Sequence, residues 1–295
     1  MDEKTQNIYK NLEIQVDKIY KHVRQGSFKT RERYEEGTKR FCKFVAENYK
    51  MQKFGNVSDK HVKAYIDDMQ SRGLSVSTVK TDLSAIRFTH DHTDNSRNVL
   101  ADNSTYDLGK RNFGGVDRTW NNKEYQKMVE LAREQGYQRV ASAMQLARTQ
   151  GLRIHEAFRM DRSNVENALR TGELATKGKG GKERTIPLTE EGRQVLKQAM
   201  HGVDRGHKLF INDGEKTHLV IKETQNWIDR NRNICKEDGR TVPMTIHGLR
   251  HSYAQEAYYN CIKQGLGDYD SRKYVSNLLG HERDDVTRIY LAGRG

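Results

Sequence analysis

Apolar residues at the start of the chain recur at helical spacing. Ile8, Leu12, Val16, Ile19 and Val23 stand at steps of four and three, which places them on one face of a helix. The spacing matters because apolar residues are scarce: 34% of the 295 residues are hydrophobic and 31% are charged. The pattern predicts a first helix over about residues 5–24. A second starts near Thr30 and buries Tyr34, Phe41, Phe44 and Val45. A third is capped by Ser58, turns Val62, Tyr65, Ile66 and Met69 inward, and ends at Gly73; a fourth is capped by Ser77 and turns Val79, Leu83 and Ile86 inward.

Residues 108–120 contain three glycines and three basic residues with little apolar content, and read as a linker. Helical spacing resumes after a cap at Asn121 or Asn122, with Tyr125, Met128, Val129 and Ala132, then Val140, Met144 and Ala147. From about Val165 to Leu188 the glycines at 172, 178, 180 and 181 punctuate Leu174, Ile186 and Leu188. That stretch reads as a small antiparallel sheet with a tight turn near Gly180-Gly181. Helix returns after Thr189. The expected fold is mainly α with a small antiparallel β-sheet. A helical domain over 1–107 and a linker over 108–120 lead to a mixed α/β domain over 121–295.

The chain has no run of 18 apolar residues and no apolar stretch after its first residues, so neither a membrane span nor a signal peptide is expected. Its three cysteines, Cys42, Cys235 and Cys261, are widely separated, which suits reduced thiols in a cytosol. The net charge of +12 suits a polyanionic partner, most simply DNA.

Chemistry concentrates in the second half. Thr245-Ile-His-Gly-Leu-Arg-His-Ser-Tyr253 reads as a helix opening at a Thr245 cap. His247 and Arg250, three apart, share a face near a helix N-terminus that favours anions. Upstream lies Gly151-Leu-Arg-Ile-His-Glu156, then Gly178-Lys-Gly-Gly-Lys-Glu-Arg-Thr-Ile-Pro-Leu188; downstream lie Leu279-Gly-His281 and Thr287-Arg-Ile-Tyr290. Arg153 and Arg250 can each offer two parallel hydrogen bonds to a phosphodiester and stabilise the charge that grows in its transition state. Glu156 is placed to hold Arg153. A phenol ordinarily titrates near pH ~10, so Tyr290 needs a neighbouring base or cation to become a nucleophile.

In this order the motifs closely resemble the tyrosine recombinase (phage-type integrase) family, over the whole half from about Asn121 to Leu291. The resemblance implies that 1–107 is the core-binding domain that clamps the duplex and that 121–295 is catalytic. It implies that Tyr290 attacks the scissile phosphate, forming a 3′-phosphotyrosine bond and releasing a 5′-hydroxyl. A hairpin lysine protonates that leaving group; the motif match gives Lys179, with Lys177 and Lys182 as rivals because a hairpin tip can shift register. His247 would assist proton transfer and His281 would donate to the phosphate. Ser77, Thr78, Lys80, Arg87, Lys182 and Arg184 are the expected DNA contacts.

No cofactor or metal is expected. His155-Glu156 and His281-Glu282 are not H-E-x-x-H, no third ligand accompanies His247 and His251, and Gly178-Lys-Gly-Gly-Lys lacks Walker A spacing. The expected partners are double-stranded DNA with specific recombination sites and, on paired sites, three further copies forming a homotetramer. An accessory directionality factor is a further partner the resemblance allows. The expected location is cytoplasmic and nucleoid-associated. Two features depart from the family pattern: Arg250 and His281 stand 31 apart, with the extra residues expected in 264–271, and only Leu291 to Gly295 follow the tyrosine. The first helix is therefore the expected assembly surface. A mobile-element integrase and an Xer-type chromosome-resolving recombinase both fit. A relaxing topoisomerase with the same chemistry and a DNA-binding regulator on an inactive fold remain as other classes.

Overall fold

Two compact units make up the chain, Met1–Asn112 and Phe113–Gly295. The computed structural model describes residues 1–111, 115–178, 181–281 and 284–291.

Among the described residues the first unit holds four α-helices: α1 (Glu3–His22), α2 (Phe28–Tyr49), α3 (Asp59–Ser71) and α4 (Val76–Asp91). Polar caps begin them, with Asp2 and Ser27 each accepting from a backbone N–H three residues on. α1 lays Ile8, Leu12, Val16 and Tyr20 into a core shared with Phe41, Val45, Tyr65 and Leu83. Its apolar stripe is thus used inside its own unit. The cap of α4 is Ser75, whose Oγ accepts from the Thr78 N–H at 3.2 Å. Ser77, the expected cap, lies two residues further on, within the first turn, and is exposed; either serine suits a helix start, and the backbone hydrogen bonds decide between them. The buried Asp82 carboxylate binds Arg33 at 2.7 Å and Arg40 at 3.0 Å.

The second unit is built around α6 (Gln138–Thr149), which touches α5 (Asn122–Glu134), α7 (Ile154–Ala157), α9 (Glu190–Met200), α10 (Thr217–Cys235) and α11 (Ile246–Lys263). Asn121 caps α5 reciprocally with Glu124. α8 (Arg162–Thr171) leads into β1 (Glu173–Lys177), which pairs antiparallel with β2 (Glu183–Pro187) in the register Lys177 opposite Glu183. The expected sheet was too long at its start. Asp161 caps a helix over what reads as the first part of the sheet, and Val165 and Ala168 are its buried side. α12 (Asp268–Leu279) and α13 (Asp284–Tyr290) close the unit.

Residues 112–114 of the expected linker lie outside the described residues, but its end belongs to the second unit. Trp120 is in that unit's core, and its backbone N–H donates to Ser252 Oγ at 3.0 Å. The segment 264–271 is the whole short connection from α11 plus the first turn of α12. Among the described residues no helix is long and apolar enough to cross a membrane.

Candidate functional site

Gly151 starts the site. It lies at φ +59, and a Cβ there would come within 2.4 Å of the Tyr253 ring, so only glycine fits both the conformation and the space. The turn ends α6 and makes Arg153 the N-cap of α7. Glu156 accepts from the Arg153 N–H at 2.7 Å and from its guanidinium at 2.8 Å, so one carboxylate fixes both ends of this arginine. Gly151 also turns its carbonyl to Arg250.

Arg250 sits on the first turns of α11 and is fully buried. Its guanidinium donates to the carbonyls of Gly151 and Leu279, and lies 3.9 Å from Glu156. Its Nε has no partner among the described residues. Burial above all lowers its pKa to about 10, which leaves it cationic at neutral pH. Glu156, 3% exposed, therefore serves three guanidinium groups, because Arg184 binds it through two parallel hydrogen bonds of 2.7 and 2.9 Å. Burial pushes the Glu156 carboxyl up, but Arg184, the Arg153 N–H and Arg250 outweigh it and hold the pKa at about 2. One anion among three cations leaves the cluster positive, which suits a phosphate.

Tyr290, at the end of α13, is 6% exposed. Its ring lies 5.4 Å from His247, 4.4 Å from His251 and 5.0 Å from His281, centroid to centroid. The Arg250 guanidinium carbon is 5.7 Å from the ring centre. α12 stops at Gly280, in the left-handed region at φ +63, and His281 follows. All three imidazoles are held neutral at pH 7. Partial burial and then Arg250, Arg153 and Arg118 lower His247 to about 4, although its outer edge is exposed. Burial followed by arginine charges brings His281 to about 3, and burial followed by His247 and Arg118 does the same for His251. Neutral imidazoles can accept a proton. A bound phosphate, by offsetting the arginines, would raise their basicity when it is needed.

Arg153, His247, Arg250, His281 and Tyr290 thus gather in one place. Lys179 lies outside the described residues. Its rivals flank the hairpin turn: Lys177 is 3.8 Å from Glu183, and Lys182 is exposed. Among the described residues there is no group of three or more His, Cys, Asp or Glu side chains that could hold a metal ion.

Residues 118–294 match the Phage integrase family, and residues 9–98 match the family described as Phage integrase, N-terminal. The chain belongs to the phage integrase family. This tyrosine recombinase is 24% identical over 261 residues to tyrosine recombinase XerD of Bradyrhizobium diazoefficiens, an alignment covering 80% of this chain and 78% of that protein. Its fold is similar to that of a lambda integrase (75–356) dimer bound to a COC′ core site, with TM-score 0.67 and 20% identity, covering 96% of this chain and 95% of that one. It is also similar to a lambda integrase tetramer bound to a Holliday junction, with TM-score 0.64 and 18% identity, covering 94% and 76%.

The expected DNA contacts of the recombinase fall into two groups. Ser77 and Lys182 are exposed and Thr78 is half-buried. Lys80 and Arg87 already have partners within the first unit: Lys80 donates to Gly109 O at 2.8 Å, and Arg87 to Ala101 O and Asn103 Oδ1. Arg184 has its donors engaged within the second unit. Its side chain is 8% exposed and its donors point to Glu156 and to Leu278 O, because a buried carboxylate attracts a guanidinium more strongly than solvent does. Sequence reasoning treated His251 only as half of a metal pair. Its i, i+4 relation to His247 signalled a shared face, but its stacking on Tyr290 needed the position of α13.

Proposed function

We propose that this recombinase is a site-specific enzyme that cuts and rejoins double-stranded DNA through a 3′-phosphotyrosine at Tyr290. The observation that carries this reading is the packing of Tyr290 against Arg250 and three neutral histidines, beside a cationic cluster organised by Glu156. Arg153 and Arg250 hold the non-bridging oxygens. The Tyr290 oxygen forms a bond to phosphorus as its proton passes to His247 or solvent. The bond from phosphorus to the 5′ oxygen breaks, and a hairpin lysine, Lys179 by motif, protonates the departing 5′ oxygen to give the free 5′-hydroxyl. His281 donates to the phosphate. Attack by a 5′-hydroxyl on the phosphotyrosine reverses these steps and seals the strand, so the bond energy is retained without a cofactor.

On this reading residues 1–107 clamp the duplex and residues 121–295 carry the chemistry. The assembly is a homotetramer on paired sites, in keeping with the tetramer seen for lambda integrase on a Holliday junction. A directionality factor would bias its outcome, and a DNA substrate places the enzyme in the cytoplasm with the nucleoid. We favour a mobile-element integrase. The resemblance to XerD supports a second reading, resolution of chromosome multimers.

The test is a nicked duplex carrying candidate sites from DNA flanking the gene. A denaturant-resistant protein–DNA adduct is expected, joined to the 3′-phosphate at the scissile position as the short strand between that position and the nick is released. No adduct on any such site would overturn the reading. Adducts formed equally on any supercoiled plasmid would mark a relaxing enzyme instead.

A further inference from the structure

Arg184 holds together three parts of the site that are far apart in sequence. It lies on β2, one residue beyond the strand's start, opposite Thr176 on β1. Two of its nitrogens bind the two oxygens of Glu156 at 2.7 and 2.9 Å, and its Nε donates to Leu278 O at 2.9 Å. Glu156 is the residue that fixes Arg153 and neighbours Arg250. Leu278 lies in the last turn of α12, three residues before His281. The arginine is closely enclosed: a Cβ on Gly280 would come within 2.8 Å of Arg184 Cδ. A planar fork meeting a carboxylate through two bonds fixes direction as well as distance.

We infer that Arg184 is a positioning residue that ties the β1–β2 hairpin, and with it the hairpin's proton-donating lysine, to the arginine cluster and to the end of α12 that carries His281. The inference rests on the recombinase reading above. Leu174 and Ile186, opposite each other, anchor the base of the hairpin in the core of the second unit, which leaves the direction of the end nearer the turn to be set. Arg184 supplies that direction, because a single side chain carries β2 beyond its partner strand to both Glu156 and α12. If these bonds are lost, the turn end of the hairpin loses its tether to the site, and leaving-group protonation suffers more than phosphate binding. Misplacing a catalytic group by about 1 Å can cost about 10²-fold.

The experiment compares Arg184→Lys and Arg184→Ala with the unaltered protein on two nicked substrates. One has the normal 5′ oxygen at the scissile phosphate; the other has a 5′-bridging sulfur, which leaves without a proton. Single-turnover adduct formation, DNA affinity and the thermal midpoint are read for each. On the oxygen substrate both variants are expected to slow by up to about 10²-fold with DNA affinity unchanged. The sulfur substrate should recover much of the loss, so the sulfur-to-oxygen rate ratio is expected to rise, as it should for Lys179→Ala if that lysine is the proton donor. A purely structural loss would slow both substrates equally, and an unchanged ratio in the folded Arg184→Lys protein overturns the inference. Weaker DNA binding with a normal rate once bound would also overturn it and make Arg184 a DNA contact. Absence of any adduct with the unaltered protein would instead remove the recombinase reading itself.

Discussion

The Tyr290 ring stacks on His251, with centroids 4.4 Å apart and planes inclined by 27°. His251 is 2% exposed and neutral, so it supports the proposed nucleophile without adding a charge that would compete for phosphate. His247 and His281 meet the same ring from other directions. The tyrosine is therefore held by ring contacts on several sides, which fixes its orientation before any substrate arrives.

Replacing Tyr290 by Phe removes one oxygen from a ring already shaped to its site. DNA affinity and the thermal midpoint should stay near those of the unaltered protein, while no covalent adduct forms on a nicked substrate. A full yield of adduct from the variant would remove Tyr290 from its proposed role.

Arg153→Lys and Arg250→Lys should each slow adduct formation by about 10²–10³-fold, the usual cost of losing one donor to a developing oxyanion, about 2.7–4 kcal/mol. Their stabilities should differ. Arg250 serves two buried carbonyls, Gly151 and Leu279, and leaving such a group unpaired costs about 1–3 kcal/mol. Arg153 is partly exposed and bonded only to Glu156 among the described residues. Chemical denaturation should show Arg250→Lys to be the less stable of the two; cleavage within threefold of normal by both would contradict their phosphate role.

Stability should fall as pH drops below about 6.5. The His251 pKa is lowered to about 3 by burial and by His247 and Arg118, so the unfolded chain binds its proton first. The stability that neutral burial provides is complete above the ordinary histidine value and is lost as pH falls through that window toward the folded value. Between pH ~7 and ~5 this amounts to at most about 2 kcal/mol. His251→Phe keeps a stacking ring and removes the proton, so its denaturation midpoint should vary less over that range. Equal slopes for both proteins would refute the account.

Gly151→Ala places a side chain at φ +59 and against the Tyr253 ring. Strain of this kind costs about 1–3 kcal/mol, and it falls between the carbonyl that receives Arg250 and the cap that presents Arg153. Both a lower thermal midpoint and slower adduct formation are expected. Normal values for both would show that the turn does not organise the site.

Deleting residues 1–25 should unfold the first unit instead of selectively weakening assembly. The deletion removes Ile8, Leu12, Val16 and Tyr20 from the core, each buried aliphatic among them contributing about 1.5–3 kcal/mol. Circular dichroism and single-site binding should fall together. Unchanged single-site binding with failed synapsis would restore α1 as an assembly surface.

Most of the helices, and the family, could be read from the residues alone. Periods of three and four are local, and a cap such as Ser58 or Asn121 acts within one turn, so both could be read without a fold. Arg153, His247, Arg250, His281 and Tyr290 were legible as an ordered set of motifs. α8 was not, because only Val165 and Ala168 of its ten residues are buried, too few to show a period beside so many glycines. Only the tertiary structure decided what each charge does. Arg184 looked like a surface cation in a basic hairpin, yet its partner Glu156 is 28 residues away; His251 acquired its role only when α13 returned Tyr290 to its face. Helical period depends on neighbours along the chain, whereas ion pairing and ring stacking depend on distances that exist only after the chain has closed.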